Sequence, residues 1–283
     1  MRKTFALIIT ILLPLFAWGQ AQINTKKMKI GDFTQKVTKV VLSGNAFIDS
    51  SLKDDISARW RVSPYEFCTV EEFENLKGSD EYYFLVYTSG QFKKDTEPSL
   101  DFLTLVKGGA GSEKGIKGML EVVSLPVASA KSPSGREAIF LPAFLDIIQS
   151  YTLVSMEKDI NAYGGLAYYS SKVTDTKDMN IVFSVDDINR NIPQHEIDMF
   201  FGGELTMTDE DEVDDLMLNN AEKTLVSFVV APSDGAAGLF CYKMLIDTQN
   251  HELYYYRKHK ITKNAGPGFL SDDLKRIYSG HTR

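Results

Sequence analysis

His195-Glu196-Ile197-Asp198-Met199 and His251-Glu252-Leu253-Tyr254-Tyr255 both open like the helix of a zinc protease. There, two imidazoles one helical turn apart grip the ion and the glutamate works as base. Met199 and Tyr255 stand where the second imidazole is needed, so neither segment supplies the pair. His251 and His259 share strand parity, but eight residues of strand at about 3.3 Å each hold them too far apart to share an ion. Ordinary hydrogen bonding or solvent exposure is expected of each histidine. The acidic run Asp209-Glu210-Asp211-Glu212 with Asp214-Asp215 lacks the ligand spacing and turn glycine of a calcium loop, since Val213 falls at the fifth position. It reads as the start of a helix, where the backbone dipole favours negative charge. Gly108, Gly109, Gly111, Gly115 and Gly118 are not arranged as a P-loop, which needs Lys and Ser or Thr directly after the second glycine. A flexible hairpin tip accounts for them.

Neither cysteine, Cys68 or Cys241, has a neighbouring histidine that would make it a nucleophile. In an oxidising compartment the two could bridge; buried, unpaired thiols are the other outcome. Arg257-Lys258-His259-Lys260 sits on an alternating strand beside Tyr254, Tyr255 and Tyr256 and reads as a solvated outer face, with a partner-binding patch as the alternative. The 13 tyrosines, among them Tyr82, Tyr83, Tyr87, Tyr168, Tyr169 and Tyr254 to Tyr256, suit core and sheet packing, with an aromatic binding surface as the alternative. The sequence thus nominates no catalytic, metal-ligating or cofactor-binding residue, and no cofactor.

The 283 residues divide into a leader and two units. Residues 1–19 read as a cleavable signal peptide: Met1-Arg2-Lys3 gives the positive start, Thr4 to Phe16 the apolar stretch, and Ala17-Trp18-Gly19 the small-x-small site. The stretch is too short to span a bilayer. Export to a periplasmic or secreted location follows, with no membrane span in the mature chain. A polar leader, 20–36, precedes the first unit. Acidic residues outnumber basic ones, 38 to 31, for a net charge of −7, so nucleic acid is excluded as a partner of the general surface.

The elements that would position any site repeat. In residues 37–160, Val37 to Leu42 reads as a strand, and Leu52, Ile56 and Trp60 recur at helical spacing after a capping-box-like Ser51-x-x-Asp54. Tyr65 to Cys68 is a strand, Thr69-x-x-Glu72 caps a helix, and Tyr82 to Tyr87 is an unbroken apolar run expected of a central, doubly covered strand. Leu100 to Val106 and Leu120 to Val127, with no helix between them, must pair antiparallel. A long helix starts near Leu141 with Pro142 in its first turn. After a connecting segment, 161–178, the order starts again in residues 179–283. Asn180 to Val185, Glu204 to Met207, Leu225 to Ala231, Phe240 to Ile246 and Leu253 to Ile261 are strands. Pro193 to Phe201, a helix capped by Thr208 and Asp211, and Ser271 to Ile277 are helices. Glu71–Leu76 and Asp211–Leu216 match locally, each leading into its unit's longest apolar strand.

The expected fold is therefore α/β: two similar β-α-β-α-β-β-β-α units with mixed sheets, consistent with an internal duplication. In element order alone each unit resembles the small α/β domains, related in topology to anticodon-binding domains, of some bacterial envelope and secretion-associated proteins. The resemblance implies tandem small domains and carries no site residue. The export signal and the missing catalytic motifs point to a non-enzymatic binding or scaffolding protein of the envelope, its partner an envelope protein or glycan. A hydrolase of envelope glycan or peptide using a dispersed carboxylate pair is the alternative.

Overall fold

The computed structural model describes residues 29–90, 99–157 and 164–282. The signal-peptide reading of 1–19, and the leader as far as residue 28, lie outside the described residues. The remainder of the leader is less polar in its role than its composition suggests. Ile30 and Phe33 are fully buried, and the Phe33 ring meets Tyr83 edge-on at 5.0 Å.

The first sheet comprises β1 (Val37–Val41), β2 (Tyr65–Cys68), β3 (Tyr82–Gly90), β4 (Leu100–Lys107) and β5 (Leu120–Ser129), ordered β2-β1-β3-β4-β5. Strands β1, β2 and β3 run parallel, and β4 lies antiparallel to both β3 and β5. The second sheet comprises β6 (Asn180–Ser184), β7 (Thr206–Thr208), β8 (Thr224–Val230), β9 (Phe240–Asp247) and β10 (Leu253–Lys260), ordered β10-β9-β8-β6-β7 with the same sense of pairing. The protein is α/β, with two mixed five-stranded sheets of one topology. The two apolar runs singled out in the sequence, β3 and β8, are the central strands.

Helices α1 (Ala46–Arg59), α2 (Val70–Leu76), α3 (Arg136–Ile139) and α4 (Leu141–Glu157) belong to the first unit, and α5 (Gln194–Phe201), α6 (Glu210–Leu218) and α7 (Ser271–His281) to the second. Helix α2 has the expected capping box: Glu72 N–H donates to Thr69 Oγ1, and Thr69 N–H to Glu72 Oε2. Helix α1 begins five residues before Ser51, because Asp49 in its first turn accepts from Ser43 N–H, Ser43 Oγ and Gly44 N–H and folds the preceding turn onto the helix. At α6 the cap is Asp209, which accepts from Glu212 N–H, rather than Thr208. The short α3 carries no periodicity and was invisible to pattern. Gly111 and Gly118 of the β4–β5 connection serve close approach: a Cβ on Gly111 would lie 1.9 Å from Gly118 O, so the two backbones touch across a pair of 3-10 turns.

The units stack head to tail. Helices α1 and α4 cover one face of the first sheet, and α2 covers the other. In the second unit α5 and α7 occupy the face corresponding to α1 and α4. The opposite face, with Val226, Phe228, Val230 and Met244, packs back onto α4 in one continuous core shared with the first unit. The Phe228 ring lies 4.5 Å from that of Phe140 and 5.2 Å from that of Phe144. This double contact explains the apolar surplus of α4, of whose 17 residues ten are buried. Polar staples fix the stack at its edge, where His251 Nδ1 in the β9–β10 turn lies 2.8 Å from Asp146 Oδ2 of α4, itself paired with Arg59 of α1 at 2.9 Å. The connecting segment is packed too: residues 165–175 form a 3-10 helix that buries Leu166, Tyr169 and Val173.

A shared core predicts shared folding. Residues 29–157 expressed alone would leave Phe140 and Phe144 without Phe228, and the expected product gives a broad, non-cooperative thermal transition with exposed apolar surface. A sharp melt from that fragment would refute the dependence.

Candidate functional site

In open α/β sheets ligands bind outside the carboxyl ends of the strands, where the chain switches from one side of the sheet to the other. In the first sheet that point lies between β1 and β3, since β1 leads through α1 to β2 on one side and α2 returns the chain to β3 on the other. A cleft of about 450 Å³ opens beside it, at the same end of the sheet, over β3, β4 and β5. The start of α1 forms one wall, through Asn45, Ile48 and Leu52; Tyr87, Asp101, Leu103 and Val127 form the floor. The lip is the segment from Pro133 through Ala138, with Leu141 and Phe144 of α4 behind it. Its size and its mostly apolar lining with a few polar groups are those of a small-molecule pocket.

The polar groups are specific. Tyr87 Oη donates to Asp101 Oδ2 at 3.3 Å, and Ser89 Oγ to Asp101 Oδ1 at 2.6 Å. Burial, with Asp101 and Glu137 close by, drives the Tyr87 phenol far up, so it remains a donor. Glu137 Oε2 accepts from Gly135 N–H at 2.9 Å and from Ser134 Oγ at 3.5 Å.

The equivalent place in the second unit is filled. Setting the two ladders in register through the residues that face α1 and α4 or α5 and α7, with Leu105 beside Leu85 and Leu245 beside Ser227, puts Lys243 where Leu103 stands and Cys241 where Asp101 stands. Lys243 pairs there with Asp273 of α7, both almost wholly buried, and Tyr255 Oη donates to the same carboxylate at 2.7 Å. Phe269 closes the space, fully buried, its ring edge-on to Phe183 at 5.0 Å. The loop carrying it is laced to the chain after β6, with Phe269 N–H donating to Asp187 O and Asn189 N–H to Phe269 O. Gly268 makes that possible: its φ is +98°, and a Cβ would sit 2.7 Å from Asp187 O.

In the first unit the corresponding loop leaves the cleft open because its anchor faces the other way. Arg136, one residue from Glu137, turns its guanidinium into the second unit. There Nε lies 2.7 Å from Asp214, and Nη1 lies 3.5 Å from Glu210 and 3.8 Å from Asp187, with the cation over the Phe140 and Phe228 rings. Burial raises all three carboxyls against the pull of Arg136, Asp187 to about 6.

The residues weighed in the sequence fall elsewhere. His195 is exposed on α5, while His251 and His259 are held in ordinary hydrogen bonds, His259 Nε2 to Gly266 O at 2.9 Å. Cys68 and Cys241 are buried free thiols, each pushed up to about 11 by burial. The acidic run starts α6 as expected, but Glu210 and Asp214 also receive Arg136. Arg257 pairs with Asp272 and Asp273. Tyr83, Tyr169, Tyr255 and Tyr256 are core residues, and Tyr87 alone of the tyrosines singled out lines the cleft. Asp101, Glu137 and Arg136 carry no signal in the sequence: Arg136 pairs with Glu210 and Asp214, 74 and 78 positions away, and Asp101 and Glu137 meet at the cleft only through the fold. No helix among the described residues is long and apolar enough to cross a membrane. No protein-family model, curated protein or solved structure matches the chain.

Proposed function

We propose that the protein is an exported, non-enzymatic binding or scaffolding protein of the bacterial envelope, and that the cleft at the carboxyl ends of β1 and β3 takes its ligand. One observation carries the reading: of two corresponding places in one doubled fold, the floor of the second is filled by Lys243, Asp273 and Phe269, leaving only a polar cleft of about 400 Å³ at its rim between residues 186–191 and 233–235, and the first is open down to its apolar floor. Export rests on the reading of residues 1–19, and the intact mass of the mature protein is expected to place its first residue at Gln20.

Asp101 and Glu137 on one cleft favour the hydrolase as a second reading. Both carboxylates are held by neighbouring donors, Asp101 by Tyr87 and Ser89 and Glu137 by Gly135 and Ser134, the arrangement of fixed acceptors in a binding site. Ala138→Trp tests the site, since the added ring would occupy the cleft from its half-buried lip. Fragments that raise the melting temperature of the wild type are expected to lose their effect on the variant. Fragments that bind both proteins alike would sink the assignment, and turnover of a glycan or peptide that Asp101→Asn abolishes would favour the enzyme.

A further inference from the structure

The cleft is unbalanced in charge. Two carboxylates, Asp101 and Glu137, face it, and among the described residues that line it none is Lys, Arg or His. The nearest guanidinium in sequence, that of Arg136, is committed to Asp214 and Glu210 across the unit boundary. A carboxylate beside apolar surface is costly without an opposing charge or a full set of donors. Here the donors are partial. Each carboxylate has about four lone-pair sites. Asp101 receives Tyr87 and Ser89, while among the described residues the hydrogen bonds to Glu137 both fall on Oε2. Tyr87 adds no charge of its own, because its phenol stays protonated beside the two acids. Behind the acids lie the apolar side chains of Leu52, Leu103, Val127 and Phe144.

We propose that the cleft binds a small organic amine in its ammonium form, its charged head between Asp101 and Glu137 and its apolar body against Leu52, Leu103 and Phe144. The inference rests on the cleft being the ligand site and goes beyond it by naming the chemical class. Ammonium supplies the three donors that the two carboxylates lack and the charge that the lining does not hold. The aromatic walls accept either an alkyl or an aryl body, and the face of Tyr87 or Phe144 tolerates the cation. An anionic ligand of the same shape meets repulsion from both acids, and a neutral alcohol gains only one donor.

The test is calorimetric titration of the full mature chain at low salt with phenethylamine, 2-phenylethanol and 3-phenylpropionate, which share a body and differ in the head. The amine is expected to bind about tenfold or more tightly than the alcohol, and the carboxylate not at all. Asp101→Asn and Glu137→Gln are each expected to weaken the amine by about tenfold and the alcohol by a smaller factor, so that the preference for amine over alcohol narrows. Equal affinity for amine and alcohol, both lost in Ala138→Trp, would overturn the ammonium assignment and leave the cleft as a site. Amine binding that survives Ala138→Trp would overturn the cleft itself, and binding of none of the three would overturn the proposal.

Discussion

Replacing Lys243 with methionine is expected to destabilise the protein by about 3–5 kcal/mol, the range found when one partner of a buried ion pair is removed. Methionine keeps most of the volume and none of the charge. Lys243 and Asp273 are each 1% exposed, so the carboxylate left behind cannot recruit bulk water. It would retain the Tyr255 hydroxyl, the Leu270 N–H and one edge of Arg257, which solvate it only in part. Burial lowers Lys243 and the pairing with Asp273 offsets this only in part, so the two costs are linked. The double variant Lys243→Met, Asp273→Asn removes both charges and keeps an acceptor for Tyr255, and it should recover more than half of the loss. Urea denaturation reads both quantities, with a shifted midpoint and an unchanged slope. A single variant as stable as the wild type would mean that the pair is not what fills the second crevice.

Arg136→Ala is expected to cost about 3–5 kcal/mol near pH 7.5 and markedly less near pH 5. The sign follows from the carboxyls around it. Asp187, Glu210 and Asp214 all titrate above their ordinary values, and Asp186 adds further negative potential. A carboxyl whose folded value is raised keeps in the folded chain a proton that the unfolded chain has already lost. The stability it contributes is complete below the unfolded value of 3.8 and is lost as pH rises through about 6 for Asp187. Without the guanidinium the three groups rise further, so acidification rescues the variant by protonating them. Paired denaturation curves at the two pH values check this. A deficit of equal size at both would show that Arg136 acts through its stacking on Phe140 and Phe228 and not through charge.

Element order and the central strands are legible because burial on both faces writes itself as unbroken apolar runs, as in Tyr82–Val86 and Leu225–Val230; the order of strands across each sheet is not. Caps were legible where one side chain does the work locally, as Thr69 does. The start of α1 was not, because Asp49 acts backwards on Ser43 and Gly44 from inside the helix. The cleft was not legible at all. Tyr87, Asp101 and Glu137 sit on three elements, brought together by the β3–β4–β5 ladder and the turn into α4. Each is an unremarkable residue in its own stretch. The plugging of the second crevice was equally hidden, since Lys243 sits in a strand that otherwise reads as apolar and its partner is on the last helix.

The stacking of the units has a consequence for how the molecule terminates. A contact that joins unlike faces is not self-limiting, since every added block would offer the next one the surface just used. Two ends must therefore be sealed by different means, as in repeat arrays. At one end α2 and the glycine-built turns cover the sheet, and at the other α5 and α7 do, with Asp272, Arg276 and Lys275 facing water. With charge on the outer face of α7, the second unit does not offer the apolar surface that α4 offers in the first.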